Sequence, residues 1–191
     1  MDISPLRVPN DFYPTPPEGT RALLSIERFQ GSIWEPACGD GAISKVLAAQ
    51  GYHVVSTDLV HRGYGIGGIN FLTETTTRAR NIVTNPPYGS GLADAFVRHA
   101  LHLVAPVGGR VAMLLNLASL AHPMRHHQWT RRPPSNVYIL DELTCWPNGV
   151  ERSFAAEHRY CWAVWKPGHV GHPTLWWLST ANRSPYVRDM V

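Results

Sequence analysis

The chain contains few charged residues and few cysteines. Asp, Glu, Lys and Arg make up 16% of its 191 residues. Such a surface is comparatively apolar, as in proteins that associate with a partner or with themselves, so a homodimer is one expectation. The three cysteines, Cys38, Cys145 and Cys161, are widely spaced and include no C-x-x-C pair. This pattern argues against a disulfide framework and against a zinc site, and it fits a reducing compartment.

Long apolar runs and targeting signals are also missing. No stretch approaches the length needed to cross a bilayer. The first residues (Met-Asp-Ile-Ser-Pro) lack the basic-then-apolar pattern of a signal peptide. We therefore expect a cytoplasmic protein with no membrane partner. The net charge of +3 is mildly basic and is compatible with a polyanionic partner.

Strand and helix patterns alternate along the chain. Strands are predicted at 32–35, 53–58, 69–72, 81–85, 109–116, 135–143 and 160–165, and helices at 20–30, 41–50 and 92–104. An extended arm is expected at 1–20. The alternation predicts an α/β fold with a doubly wound, mostly parallel sheet in a single domain, 1–191. Segments 118–134 and 144–158 are long for loops, and such loops are often functional.

A turn of small residues follows the first predicted strand. Residues 35–41 read Glu-Pro-Ala-Cys-Gly-Asp-Gly, so the backbone can approach a ligand closely there. Asp58 ends the next strand, where an acid can accept hydrogen bonds from ribose hydroxyls. The turn contains no Lys or Arg, which suits a nucleoside without a pyrophosphate. The alternatives are ordinary strand-to-helix punctuation for the turn and a helix N-cap for Asp58.

The tetrapeptide Asn85-Pro86-Pro87-Tyr88 follows another apolar strand. An exocyclic amine on adenine is a poor nucleophile because its lone pair is delocalised into the ring. The Asn85 side-chain oxygen and the Pro86 carbonyl could accept its two N–H groups and localise that lone pair. The two prolines make the segment stiff, and Tyr88 offers a face for base stacking. The alternative is a rigid surface turn, since all these residues are common in turns.

Taken together, these motifs resemble the N6-adenine DNA methyltransferases of the class I Rossmann-like superfamily, in the gamma-type motif order. Residues 11–16 (Asp-Phe-Tyr-Pro-Thr-Pro) resemble the N-terminal motif of phage and orphan members, and 159–166 resemble the last strand of small phage-like enzymes. The resemblance implies S-adenosylmethionine as cofactor, DNA as partner, a flipped-out target base, and a bacterial or phage source. It implies catalytic roles for Asn85, Pro86, Pro87 and Tyr88.

The resemblance also implies a set of cofactor-binding residues. These are Tyr13, Thr15, Pro16, Glu35, Pro36, Ala37, Cys38, Gly39, Asp58, Asn70, Phe71 and Asn85. The family often has Asp-Phe where this chain has Asn70-Phe71, and Asn can still accept the same hydrogen bond. Because about 25 residues follow Trp165, no separate target-recognition domain is expected.

Segment 122–132 interleaves basic residues with an aromatic, a composition that suits phosphate contacts and stacking. The candidate substrate contacts are Arg125, Trp129, Arg131 and Arg132, together with Tyr88. A solvated loop is the alternative, and a metal site at the histidines of this segment is disfavoured because no carboxylate or Cys is nearby. The aromatic residues Trp162, Trp165, Trp176 and Trp177 are interpreted as core or subunit interface rather than as a stacking platform.

Other functions remain open from the sequence. Asn-Pro-Pro-Tyr also occurs in RNA adenine and protein glutamine methyltransferases, and cytosine-N4 enzymes more often carry Ser at the position of Asn85. The arm motif at 11–16 favours the DNA enzymes. A catalytically silent fold retained for nucleic-acid binding is a further alternative, against which Asp58, Asn85 and Tyr88 speak.

Overall fold

The computed structural model describes residues 9–151 and 159–181. Its helices are α1 (Pro17–Ile26), α2 (Ala42–Ala49), α3 (Leu92–Val104) and α4 (His126–Arg131). Its strands are β1 (Ile33–Glu35), β2 (Val54–Ser56), β3 (Asn81–Thr84), β4 (Val111–Asn116), β5 (Asn136–Leu140), β6 (Tyr160–Trp165) and β7 (Thr174–Leu178).

The seven strands form one mixed sheet in the order β2-β1-β3-β4-β6-β5-β7. β1 pairs in parallel with both β2 and β3, and β3 pairs in parallel with β4. β6 is antiparallel to its neighbours β4 and β5, while β5 and β7 are parallel. β2 and β3 lie on opposite sides of β1, so the strand order reverses between β1 and β3. Ligands bind beyond the carboxyl ends of the strands at such a switch point.

Helices cover both faces of the sheet. The side chains of a strand point alternately to the two faces, and in the central strands the side chains on both faces are apolar. In β4, Ala112 and Leu114 pack with α1 and α2, whereas Val111, Met113 and Leu115 pack with α3. All five are at most 2% exposed. This two-sided burial is typical of the centre of a doubly wound sheet, as predicted.

The structure differs from the predicted elements in several places. The strand predicted at 69–72 is wrong: Phe71–Thr73 is a 3-10 turn, because the Asn70 side chain accepts the Leu72 N–H locally at 3.1 Å. The arm predicted at 1–20 ends at Pro16, since Pro17 occupies the first position of α1. β7 was not predicted as a strand. Residues 1–8, 152–158 and 182–191 lie outside the described ranges.

Four late tryptophans divide between the interior and the surface. Trp162 and Trp165 of β6 are buried, at 0% and 5% exposed, whereas Trp176 and Trp177 of the edge strand β7 are 46% and 76% exposed. A core position is therefore confirmed for Trp162 and Trp165, and a subunit interface stays a prediction for Trp176 and Trp177. Within the described ranges, no helix has both the length and the apolarity to span a membrane.

Candidate active site

A cavity of about 470 Å³ opens at the carboxyl ends of β1, β2 and β3. This volume lies within the range of small-molecule sites. The turn after β1, the acid after β2 and Asn85 after β3 all line it. The arm also contributes to its wall, as do Leu92 and Phe96 from the start of α3. The three separate motifs of the sequence thus meet in one place.

The turn after β1 is fixed by a buried carboxylate. Glu35 is 1% exposed and accepts the backbone N–H of Ser44 at 2.8 Å as well as the Ser44 hydroxyl. The Ser44 hydroxyl also lies 2.6 Å from that of Ser56 in β2. Burial raises the pKa of Glu35 well above its ordinary value, and the Ser44 hydrogen bonds only partly oppose this. Glu35 therefore anchors the first turn of α2 and also lines the cavity.

Glycines let the same turn come close to its neighbours. Gly39 has φ +57, and a Cβ there would lie 2.8 Å from the Phe12 ring. Gly41 has φ +85 and sits directly before α2, with the Tyr64 ring where a side chain would be. Both positions favour glycine on conformational and steric grounds. Gly39 thus leaves room for the arm to close over the turn.

We expect Glu35→Gln to change how the free energy of unfolding depends on pH. The folded-state pKa of Glu35 lies above its ordinary value of 4.5. Ionisation therefore opposes folding, and stability is lost as pH rises from 4.5 through the raised pKa. Glutamine keeps an acceptor for Ser44 but cannot ionise. Urea unfolding at several pH values should show the variant gaining on the wild type as pH rises, and a pH-independent difference would contradict this.

Asp58 joins the end of β2 to the turn. Its Oδ2 accepts the Gly39 N–H and its Oδ1 accepts the Val60 N–H, each at 2.8 Å. Asp58 is thus not the N-cap of a helix, since no helix follows it directly. Each carboxylate oxygen keeps a free acceptor direction, because a carboxylate has about four lone-pair sites. The predicted ribose contact is compatible with this geometry.

The arm covers the cavity through specific contacts. The Asp11 carboxylate accepts the Gly89 N–H at 2.7 Å, directly after the Asn-Pro-Pro-Tyr segment. The Arg62 guanidinium lies over the Phe12 ring, with its central carbon 4.2 Å from the ring centroid. The Phe12 carbonyl accepts the Asn148 N–H at 3.0 Å. Cation–π contacts of this kind typically contribute about 0.5–1 kcal/mol. The arm is therefore bound to three separate loops around the site.

The Asn85 amide has a fixed orientation. Its Nδ2 donates to the Tyr13 carbonyl at 3.2 Å and lies 3.1 Å from the Thr15 hydroxyl. Because a carbonyl can only accept, the nitrogen must face the arm and Oδ1 must face away. Oδ1 accepts the Tyr88 hydroxyl at 2.6 Å, and that hydroxyl also lies 2.9 Å from the Leu114 carbonyl. The Tyr88 hydroxyl has one proton and two acceptors within reach. It can therefore stop donating to Asn85 Oδ1 and still donate to the Leu114 carbonyl.

Asn85 and Pro87 line the cavity, whereas Pro86 and Tyr88 do not. The Tyr88 ring packs against the buried apolar residues on both faces of the sheet, and its centroid lies 6.4 Å from that of Tyr160. Burial raises the pKa of the Tyr88 hydroxyl well above its ordinary value, so it stays protonated near neutral pH. Stacking of a target base on Tyr88 remains a prediction, and it would require the ring to turn outward.

Most predicted cofactor residues line the cavity: Tyr13, Thr15, Glu35, Pro36, Ala37, Cys38, Gly39, Asp58, Asn70, Phe71 and Asn85. Pro16 does not line it, and its carbonyl accepts the Gly19 N–H as α1 begins. Phe71 is 2% exposed and packs edge-on against Trp34 and His99. Burial raises the pKa of the Cys38 thiol to about 12, so no thiolate is available at neutral pH.

The predicted substrate segment does not enter the cavity. Arg125 forms an ion pair with Asp94 in the first turn of α3, with its Nε 2.6 Å from the carboxylate. Trp129 stacks on Trp165 at 5.7 Å, and the Trp165 indole donates to the Arg132 carbonyl. Trp165 pairs with Val111, the first residue of β4. Trp129 and Arg132, with the adjacent Arg131, therefore lie near the side of the sheet where β4 begins, which we call its amino edge.

Sequence reasoning missed Asp40, Arg62 and Phe96 as cavity residues. Asp40 was visible between two glycines, but nothing in the pattern separated it from a solvated turn residue. Its Oδ1 is buried and has no hydrogen-bond partner among the described residues. Within 9–151 and 159–181, no group of three His, Cys, Asp or Glu side chains could hold a metal ion.

The fold matches solved structures of class I methyltransferases. A Listeria monocytogenes protein assigned to the class I S-adenosylmethionine-dependent methyltransferases aligns with 84% of the chain at 13% identity and a TM-score of 0.56. The modification subunit assigned to a type I restriction enzyme of Vibrio vulnificus YJ016 aligns with 93% at 16% identity and 0.56. The type I restriction enzyme EcoKI M protein aligns with 83% at 16% identity and 0.53. The chain therefore has the class I methyltransferase fold.

The chain spans 62% of the Listeria protein, 48% of the Vibrio subunit and 44% of the EcoKI M protein. No protein-family model matches the chain, and no curated protein matches it in sequence.

Proposed function

We propose that this protein transfers a methyl group from S-adenosylmethionine to the N6 amine of adenine in DNA. The observation that carries the proposal is the meeting of Asn85 with the turn 35–41 and Asp58 around one cavity. The fold supports methyl transfer in general. The choice of adenine in DNA rests on the Asn-Pro-Pro-Tyr segment and on the arm motif at 11–16.

The charges around the cavity fit this cofactor. Three aspartates line it, Asp11, Asp40 and Asp58, and Arg62 is the one Lys or Arg among the described lining residues. Glu35 also lines it, but its raised pKa opposes a negative charge there. A sulfonium and an ammonium group suit such a lining, whereas a pyrophosphate would be repelled. The unpaired Asp40 Oδ1 offers a buried acceptor that an ammonium or a hydroxyl could satisfy. Asp58 keeps free acceptor directions for ribose hydroxyls.

Asn85 is suited to hold the target amine. Its oxygen faces away from the arm because Tyr13 and Thr15 hold its nitrogen. A target N–H can replace the Tyr88 hydroxyl on Oδ1 while that hydroxyl turns fully to Leu114. The Pro86 carbonyl is the proposed acceptor for the second N–H. Two acceptors draw the nitrogen towards tetrahedral geometry and make its lone pair available.

The reaction then depends mainly on alignment. S-adenosylmethionine, when bound here, would supply an electrophilic methyl group. The nitrogen lone pair would form the new N–C bond, and the sulfur would keep the electrons of the broken S–C bond. The N6 proton passes to water after the new bond forms, so no strong base is required. Positioning of this kind can contribute roughly 7–11 kcal/mol to lowering the barrier.

The direct test is transfer of tritiated methyl groups from S-adenosylmethionine into unmethylated DNA, RNA and total protein in parallel. Digestion of the products should reveal N6-methyladenine in DNA alone. Label in RNA adenine, cytosine N4 or protein glutamine would redirect the proposal to that substrate. Cofactor binding without label in any of them would contradict it.

We expect Asp58→Asn to weaken S-adenosylhomocysteine binding by about 10- to 100-fold, because a charge-assisted hydrogen bond is worth about 1.5–3 kcal/mol. Isothermal titration calorimetry would measure this. Asp141→Asn is the matched control, since Asp141 also follows a strand and accepts the backbone N–H groups of Glu142 and Thr180 at 2.8 Å. Asp141 lies outside the cavity lining. Equal affinities for both variants would contradict the role of Asp58.

A further inference from the structure

Cationic residues from neighbouring strands lie at the amino edge of the sheet, opposite the cavity. Arg80 directly precedes β3, Arg110 directly precedes β4, and Lys166 directly follows β6. Arg131 and Arg132 lie beside the end of β6, because the Trp165 indole donates to the Arg132 carbonyl at 2.9 Å. We call these five residues the cationic row.

The strand register places the row in line. Ile82 of β3 pairs with Val111 of β4, and Val111 pairs with Trp165 of β6. Arg110 and Lys166 adjoin these paired residues, and Arg80 lies two residues before Ile82, so the three cations leave the sheet at nearly the same level. Adjacent strands are about 4.8 Å apart, and DNA carries one phosphate per about 3.4 Å of axis on each strand. The charge density of the row is thus comparable with that of a phosphate backbone.

Among the described residues, one carboxylate forms ion pairs with the row. Glu27 is 2% exposed, and both the Arg110 guanidinium at 3.2 Å and the Lys166 ammonium at 2.8 Å contact it. One carboxylate thus serves two cations, whose side chains are each 33% exposed. Arg80, Arg131 and Arg132 are exposed. The five cations of the row and Glu27 together have a formal charge of +4, more than the +3 of the whole chain, so the rest of the chain is net negative.

Structural contacts explain part of this positive charge. The Arg110 guanidinium donates to the Arg28 carbonyl at 2.8 Å, in addition to its contact with Glu27. Arg28 donates to the Leu24 and Glu27 carbonyls, so it stabilises the exposed end of α1. The ends of α1 and α3 place negative partial charge at the same edge, an effect of about 0.3–1 kcal/mol each near those carbonyls. No comparable carbonyl contact is present for the side chains of Arg80, Arg131 or Arg132 among the described hydrogen bonds.

From this arrangement we infer that the cationic row binds the phosphate backbone of duplex DNA, at a surface separate from the cavity. The identity of the polyanion rests on the proposed function. β4 has six residues, so about 20 Å separates the two edges of the sheet. A duplex segment on the row is therefore not the segment whose base enters the cavity. The row tethers the protein to DNA, while the opposite edge selects and modifies the target.

The test is the salt dependence of binding to a fluorescein-labelled 30-base-pair duplex, measured by anisotropy between about 50 and 200 mM salt. In the triple variant Arg80→Gln, Arg131→Gln, Arg132→Gln, we expect affinity to fall about tenfold or more. The slope of log K against log salt should decrease by about 0.9 for each lost contact. The control Arg21→Gln, Lys45→Gln, Arg98→Gln removes the same charge from exposed positions on α1, α2 and α3, and it should keep the wild-type slope.

Equal slopes in the two triple variants, or an unchanged slope in the first, would overturn the inference. Methyl transfer into the same DNA, measured in parallel, separates this outcome from failure of the proposed function. A wild type that binds DNA through the row but transfers no methyl group would overturn the function alone. A wild type that methylates DNA, with a triple variant that binds normally, would overturn the row alone.

Discussion

Replacing Asn85 by alanine should lower the rate of methyl transfer by about 10²–10³-fold, the usual cost of removing one hydrogen-bonding group aimed at a reacting centre. Without the Asn85 oxygen, one target N–H has no acceptor and the lone pair stays delocalised. The loss should appear in single-turnover rates at saturating cofactor, because the arm contact of Asn85 also affects cofactor binding.

Asn136→Ala is the matched control for this prediction. Asn136 is also half-buried and also bonds a tyrosine hydroxyl, that of Tyr138 at 2.8 Å, but it lies at the start of β5 outside the cavity lining. Its replacement should leave the single-turnover rate close to that of the wild type. If Asn85→Ala kept more than about a tenth of the wild-type rate, the acceptor role of Asn85 would be refuted.

Trp162→Ala should lower the free energy of unfolding by about 3–5 kcal/mol, the range for removing a large aromatic from a core. Trp162 is fully buried in the central strand β6, and its indole donates to the Gly19 carbonyl of α1 at 2.9 Å. The change leaves a cavity beneath that helix and removes the hydrogen bond from the indole to the Gly19 carbonyl. Urea denaturation followed by circular dichroism would measure the loss.

The same substitution at Trp177 provides the comparison. Trp177 is 76% exposed on the edge strand β7, and surface substitutions usually change stability by within about 0.5 kcal/mol. Equal losses for the two variants would show that Trp177 is covered in solution, and the burial assigned to it would then be wrong.

The central elements of the fold could be predicted from the sequence because their signals are local and strong. The predicted bounds of α3, residues 92–104, agree with the structure, as do those of β6, residues 160–165. β7 could not be predicted. It satisfies its hydrogen bonds by pairing with β5, which lies far from it in sequence, and its exposed residues show no alternation of apolar and polar side chains.

The cavity residues show a similar division. Motifs with glycine and proline signals predicted the parts of the wall that follow β1 and β3. Arg62 and Phe96 belong to segments without such signals, and only the folded chain brings them to the cavity. The orientation of Tyr88 was also beyond prediction, because its partner Leu114 lies on another strand.

The hydrogen bonds between the arm and Asn85 have a thermodynamic consequence. Tyr13 and Thr15 line the cavity and also hold the Asn85 amide, which is the group proposed to bind the target. A cofactor that orders these arm residues also orders the Asn85 amide. The target then binds to an amide that is already ordered, and its binding costs less conformational entropy. Such coupling is reciprocal, and a bound target must tighten cofactor binding by the same factor.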